Sequence, residues 1–263
     1  MILGIHEAEA EFRAFGIEVT IKILNSIEPA EQIGILNNFE HDNYAGIAVF
    51  PLDDPQVVAK INDLSAKGIA IITFNSHVEA VKSFCFVGQD HYKGGRTAAG
   101  LLDKIVHRPG EIAVIISSNH LSCHRDRLQG FKDKLEELAK PYKIVDVVEN
   151  YDKKEDAFRI TLELINEYPQ LKAIYITGGG VSGLASALSL SEASKDIKVI
   201  SHDLTTDAKE LLEKGSLDFV IGQNPELQGN LLVKILFELL IKRQKPVHKS
   251  INVPIEIISS DSF

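Results

Sequence analysis

The chain has 263 residues, 44% of them hydrophobic and 25% charged, which is enough to bury a sizeable core in one large domain or two modest ones. A formal net charge of −9 and a pI near 5.5 argue against a broad nucleic-acid surface, which needs clustered Lys and Arg to displace phosphate counterions. The two cysteines, Cys85 and Cys123, make a disulfide framework improbable; the Glu-rich start MILGIHEAEAEFRAF is not a secretory leader, and no window reaches the roughly 18 apolar residues of a membrane span, so a soluble, cytoplasmic chain without a membrane partner is expected.

Ile5, Ala8, Phe12 and Phe15 fall at helical spacing with acids between them, predicting an amphipathic helix that Gly16 stops. The β-branched run IEVTIKIL (17–24) predicts a strand, followed by a helix from about Pro29 to Glu40. Short apolar runs then recur at 46–50, 69–74, 84–87, 111–116, 143–148, 172–177, 197–202 and 217–222. Helical patterns at 55–66, 92–106, 126–139, 154–167, 181–192, 206–214 and 226–243 mostly separate them, and INVPIEII closes the chain. Continuous apolar strands alternating with helices indicate parallel sheets covered on both faces. About ten strands exceed what one compact sheet usually holds, so two doubly wound α/β halves are expected.

Ligands of doubly wound halves sit beyond the carboxyl ends of strands. Polar residues at such ends are Asn75, Thr177, Asp203 and Gln223, with Arg125 after the run at 111–116. Each alone is more usually a turn or cap residue; the set is more telling than any member. Gly178, Gly180 and Gly183 fit G-x-G-x-x-G between a strand and a helix, with Asp203 lying 20 residues beyond Gly183. That pattern keeps open an NAD-linked enzyme of another class, in which glycines admit a pyrophosphate and the acid holds a ribose hydroxyl. A permissive strand-to-helix turn explains the same glycines more simply. Cys123 and His124 lack metal-ligand spacing, and Ser117, Ser118, His120 and Asp126 lack a nucleophile elbow. No catalytic set, metal site or cofactor is therefore expected, and the chain is read as a non-enzyme.

The segments FVGQDHYKGGRTAAGLL, CHRDRLQGFKDKL and VISHDLTTDAKELLEKGSLDFVIGQNPELQG resemble the effector-binding region of LacI-type transcription regulators, related to ribose-binding proteins. The resemblance covers nearly the whole chain. It implies a type I periplasmic-binding-protein-like fold: two doubly wound parallel-sheet lobes with a ligand cleft between them. The N-terminal lobe would comprise 1–89 and 223–250, and the C-terminal lobe 90–222 and 251–263. It implies a small sugar or polyol effector held by Asn75, Arg125, Asp203 and Gln223, with Phe50 stacking on the ring or simply packing in the core. Where many relatives carry Asn-Asp, this chain has Thr177-Gly178, which alters the expected contacts. The resemblance further implies a homodimer whose ligand alters DNA binding by a helix-turn-helix. That headpiece, and the strand that precedes the first helix in the family pattern, would lie upstream of Met1. The alternative within the same fold is the extracytoplasmic sugar-binding protein of an ABC transporter.

Overall fold

The computed structural model describes residues 1–263 except 42, 43, 191–193 and 195. The chain forms two compact units, Met1–Gln89 with His120–Ser122 and Asn224–Pro254, and Asp90–Asn119 with Cys123–Gln223 and Ile255–Phe263.

In the first unit, α1 (Ile2–Phe12) runs through a 3-10 turn (Arg13–Phe15) to Gly16, whose φ of 81° closes the turn. There follow α2 (Pro29–His41), β1 (Gly46–Val49), α3 (Pro55–Ala66), β2 (Ala70–Phe74) and β3 (Phe86–Gln89). Asp54 caps α3 by accepting from the Gln56 and Val57 amides, and Pro55 occupies the first helical position, where no amide donor is needed. The unit is completed by α9 (Pro225–Leu240) and β9 (Ser250–Val253), and its parallel sheet has the order β1-β2-β3-β9. Leu232, Ile235 and Leu239 of α9 cover Ile72 and Val87 of that sheet. On the far side of α9, Phe12 stacks on Phe237 with centroids 4.2 Å apart.

Three sequence expectations change here. Residues 17–24 form no strand, although Ile17 and Val19 pack against the α1–α9 cluster. The Val19 amide donates to the Glu9 carboxylate at 2.9 Å instead of to a ladder. A strand needs a neighbour, and the strand that would lie beside this run in a 2-1-3-4-5 order is not among the described residues. The last boundary also moves: β9 pairs with β3 from Ser250 to Val253, so the chain stays in the first unit past Ser250. Pro254, with no amide to donate, ends the ladder. Gln223 groups with the second unit rather than the first.

The second unit contains α4 (His91–Ile105), β4 (Glu111–Ile116), α5 (Ser122–Glu137, from Cys123), β5 (Lys143–Glu149), α6 (Lys154–Glu167), β6 (Leu171–Ile176), α7 (Val181–Leu188), β7 (Lys198–His202), α8 (Thr206–Glu213), β8 (Phe219–Gly222) and β10 (Glu256–Ile258). The predicted helix from 181 ends at Leu188, and its expected tail at 191–192 lies outside the described residues. The sheet order is β10-β8-β7-β6-β4-β5, parallel except for β10. Period-two alternation divides its apolar residues between two cores. Ile112, Val114, Ile116, Ala173 and Tyr175 meet α4 and α5, while Ala113, Ile115, Ile174 and Ile176 meet α6, α7 and α8. Burial on both faces is why these strands read as unbroken apolar runs.

Helices α4 and α5 cross in close contact through two glycines. A Cβ on Gly95 would lie 1.9 Å from the Arg127 carbonyl oxygen, and one on Gly130 equally close to that of Tyr92. The glycines of the GGR and R-x-R-x-x-G-F segments therefore set how near α5 comes to α4.

Candidate functional site

Strands β6, β7 and β8 are neighbours, so Thr177, Asp203 and Gln223, each just past a strand end, stand side by side. Asp203 adopts φ 68°, a left-handed conformation that Asp tolerates better than most residues, with its amide donating to the Ile221 carbonyl at 3.0 Å. Gln223 Nε2 donates to Asp203 Oδ1 at 2.5 Å.

Thr177 is held by three hydrogen-bonding contacts within the second unit. Its amide donates to the Ile115 carbonyl at 2.9 Å, its carbonyl accepts from Arg127 Nη1 at 2.6 Å, and its hydroxyl lies 2.7 Å from His124 Nδ1. Arg127, Tyr175 and His202 gather with His124 around this strand end without having been singled out in the sequence, where His124 is weighed only as a metal ligand. Phe131 stacks on Tyr175 with centroids 4.6 Å apart, and the Tyr175 hydroxyl lies 2.7 Å from His202 Nε2. The R-x-R-x-x-G-F segment thus contributes the arginine and, through Phe131 and Tyr175, orients His202.

The arginine brought to Thr177 is Arg127, not Arg125. On an α-helix residues two apart point about 200° away from each other. Arg125 Nη1 instead donates to the Asn119 carbonyl. Arg127 is 2% exposed, and its Nε and Nη2 have no hydrogen-bond partner among the described residues.

Burial sets the electrostatics. It holds His124 and His202 well below the ordinary histidine value, with Arg127 and His91 adding to the effect. Desolvation likewise pushes the Cys123 thiol up to about 11, so it is no activated nucleophile. Among the described residues no group of three or more His, Cys, Asp or Glu side chains is arranged to hold a metal ion.

The glycine fingerprint borders a depression of about 600 Å³, which His202, Asp203 and Asp152 also line. A Cβ on Gly178 would come within 2.7 Å of both Asp152 Oδ1 and His124 Cε1, and Gly180 has φ 92°. The Gly179 amide already donates to Asp152 Oδ1 at 2.6 Å, so a carboxylate of the same unit sits where a dinucleotide would place its pyrophosphate. Gly183 packs α7 on α6: its Cβ would lie 1.9 Å from the Lys154 carbonyl oxygen.

The remaining candidates belong to the first unit. Phe50 is half-buried against Phe74, with centroids 6.2 Å apart, and its carbonyl accepts from Gln32 Nε2 at 2.6 Å. Asn75 has φ 56°, and its amide donates to the Val87 carbonyl at 3.0 Å. Beside it Ser76, fully buried, lies 2.7 Å from the Ser122 hydroxyl.

The family described as the periplasmic binding protein domain matches residues 4–244 of this chain. The chain belongs to this family. Among periplasmic binding proteins, the ribose import binding protein of Bacillus subtilis is 22% identical over 253 residues, covering 95% of this chain and 79% of that protein. The structure of a sugar-binding protein of a sugar ABC transporter from Bacillus halodurans is 26% identical, with a TM-score of 0.83 over 98% of this chain and 91% of the other. A structure from Bacteroides fragilis assigned to the LacI transcriptional regulators is 23% identical, with a TM-score of 0.88 over 98% and 90%. The fold is the two-lobe, parallel-sheet α/β architecture of type I periplasmic binding proteins. Among the described residues no helix is long and apolar enough to cross a membrane.

Proposed function

We propose that this chain is a binding receptor for a small sugar or polyol, of the kind that serves solute import. The observation that carries the reading is the bonded pair Asp203–Gln223 at adjacent strand ends, beside the strand end that Arg127 reaches. A carboxylate acceptor, a guanidinium donor and an amide that does both suit hydroxyls, which donate and accept at once. Asn75 and Phe50 remain candidate contacts in the first unit; Arg127 takes the role first assigned to Arg125. The ribose-import relative and the sugar-transporter structure favour import over regulation. On this reading the protein works outside the cytoplasmic membrane and partners a transporter.

A second reading, the effector domain of a LacI-type regulator, draws on the Bacteroides structure and on the segment FVGQDHYKGGRTAAGLL. It places the protein in the cytoplasm as a homodimer that acts on DNA through a headpiece outside this sequence.

Thermal-shift screening against pentoses, hexoses, inositols and NAD(H) tests the receptor. A ligand at 100 times its dissociation constant stabilises by about 2.7 kcal/mol. A shift with a sugar or polyol supports the reading, and a shift with NAD(H) alone overturns it. Sedimentation at micromolar concentration separates the two versions: a monomer fits import and a dimer fits regulation.

A further inference from the structure

The segment of the first unit between α9 and β9, residues 241–249, reads IKRQKPVHK, with four Lys or Arg side chains and no acid in a chain of net charge −9. Every residue in it except Pro246 is exposed, Val247 to 91% and Ile241 to 48%. Lys242 Nζ lies 5.3 Å from the centroid of the Phe237 ring, and Lys245 Nζ 5.9 Å from that of Phe84. The first ring gathers a stretch from the other end of the chain. Phe15, 60% exposed, lies 5.2 Å from Phe237 on the 3-10 turn that also carries the exposed Arg13. The second ring brings in Lys82, exposed two residues before Phe84. Among the described residues, none of Arg13, Lys82, Lys242, Arg243, Lys245 and Lys249 forms an ion pair; Glu9, which Arg13 faces, accepts from the Val19 amide. Strand β9 begins at Ser250 and runs parallel to β3, as β2 and β1 do, so this surface lies at the amino ends of the strands, opposite the carboxyl ends that carry Phe50 and Asn75.

We infer that this basic, apolar-tipped surface docks the protein on a bilayer of anionic phospholipids. The six cations attract phosphate-bearing headgroups, and each Lys or Arg held near such a surface strengthens partitioning about fivefold. Phe15, Ile241 and Val247 stand among those cations, and that mixture suits the boundary between headgroups and acyl chains: the charges stay at the phosphates while the apolar tips enter. A nucleic acid would use the cations, but Ile241 and Val247 offer no ring face on which a base stacks. The rest of the chain carries the excess of acids and is repelled by the same lipids, so docking is oriented. Within the first unit the strand ends with Phe50 and Asn75 then point away from the bilayer and stay open to solution. The inference is independent of what the chain binds at those strand ends.

Co-sedimentation of the whole protein with two kinds of vesicle tests this: phosphatidylcholine alone, and phosphatidylcholine containing roughly one third phosphatidylglycerol. At low salt, partitioning onto the anionic vesicles is expected to exceed that onto the neutral ones at least about tenfold, and to fall as added sodium chloride screens the charges. The combined change Lys242→Gln, Arg243→Gln and Lys245→Gln should weaken anionic binding at least about tenfold. Phe15→Ser with Val247→Ser, at unchanged charge, should weaken it about threefold or more. All five side chains are exposed, so melting midpoints should stay close to that of the wild type. Equal partitioning onto both vesicles, or onto neither, overturns the inference. So does anionic binding that the triple variant retains in full, which places the contact elsewhere on the molecule. A single-stranded oligonucleotide bound through the same three cations more tightly than the vesicles would also overturn it and assign the surface to nucleic acid. The comparison of the two vesicles on the wild type decides the matter even if a variant does not fold.

Discussion

Gln223 and Asp203 meet across the ends of β8 and β7, with the amide nitrogen 2.5 Å from the carboxylate oxygen. The contact holds the carboxylate in one orientation while the Asp203 backbone sits at φ 68°. Two properties of the side chain are thus in use: its acceptor oxygen and its tolerance of a left-handed backbone.

Asp203→Asn keeps an acceptor for Gln223 and the same backbone tolerance, whereas Asp203→Ala loses both. Asp203→Ala should be about 1–2 kcal/mol less stable than Asp203→Asn in urea denaturation, from left-handed strain. Both variants should bind the ligand at least tenfold more weakly, because a hydroxyl loses its charged acceptor. Wild-type affinity in both would remove Asp203 from the site.

Removing the isolated guanidinium should not weaken the ligand-free fold. Arg127→Met deletes a buried charge without a counter-ion and fills similar volume, at the expense of one bond to the Thr177 carbonyl. The expected change in unfolding free energy lies between zero and about +2 kcal/mol. A loss above roughly 2 kcal/mol in denaturant melts would mean that Arg127 is compensated within the fold.

Stability should fall on mild acidification. His124 and His202 are held below the unfolded histidine value of about 6.5 by burial and by Arg127, so below that pH the unfolded chain binds more protons than the folded one. Their contribution is fully present above about pH 6.5 and is lost as pH falls from there toward the folded values, with a slope of up to about 1.4 kcal/mol per pH unit for each histidine. His202→Gln keeps a partner for the Tyr175 hydroxyl and removes one titration. Urea midpoints at pH 7, 6 and 5 should show a slope about one proton shallower in the variant.

Gly95→Ala should damage stability and binding together. Its methyl would be driven against the Arg127 carbonyl oxygen, and the backbone on both helices is rigid. A stability loss of about 1–3 kcal/mol is expected, with ligand affinity falling as α5 moves. Gly100→Ala on the same helix, where a Cβ meets nothing within 4 Å, is the control and should be neutral or slightly stabilising.

The strand and helix alternation of the second unit was legible in the sequence because it rests on local periodicity. Strands buried on both faces read as apolar runs, and Asp203 and Gln223 follow directly from where those runs end. What lay beyond local pattern needed the tertiary structure. Arg125 and Arg127 are equivalent as letters, and only the way α5 docks on α4 through Gly95 and Gly130 decides which guanidinium is buried. Thr177 reads from the sequence only as a polar strand-end residue, and it is the fold that brings its hydroxyl to His124, 53 positions earlier in the chain. Residues 17–24 have strand composition but no strand, since a ladder depends on a neighbour that a run of side chains cannot supply for itself. Composition and period determined most of the strands and helices and which face of each is apolar. Partners distant in sequence decided which polar groups are used up inside the fold and which are left open to a ligand.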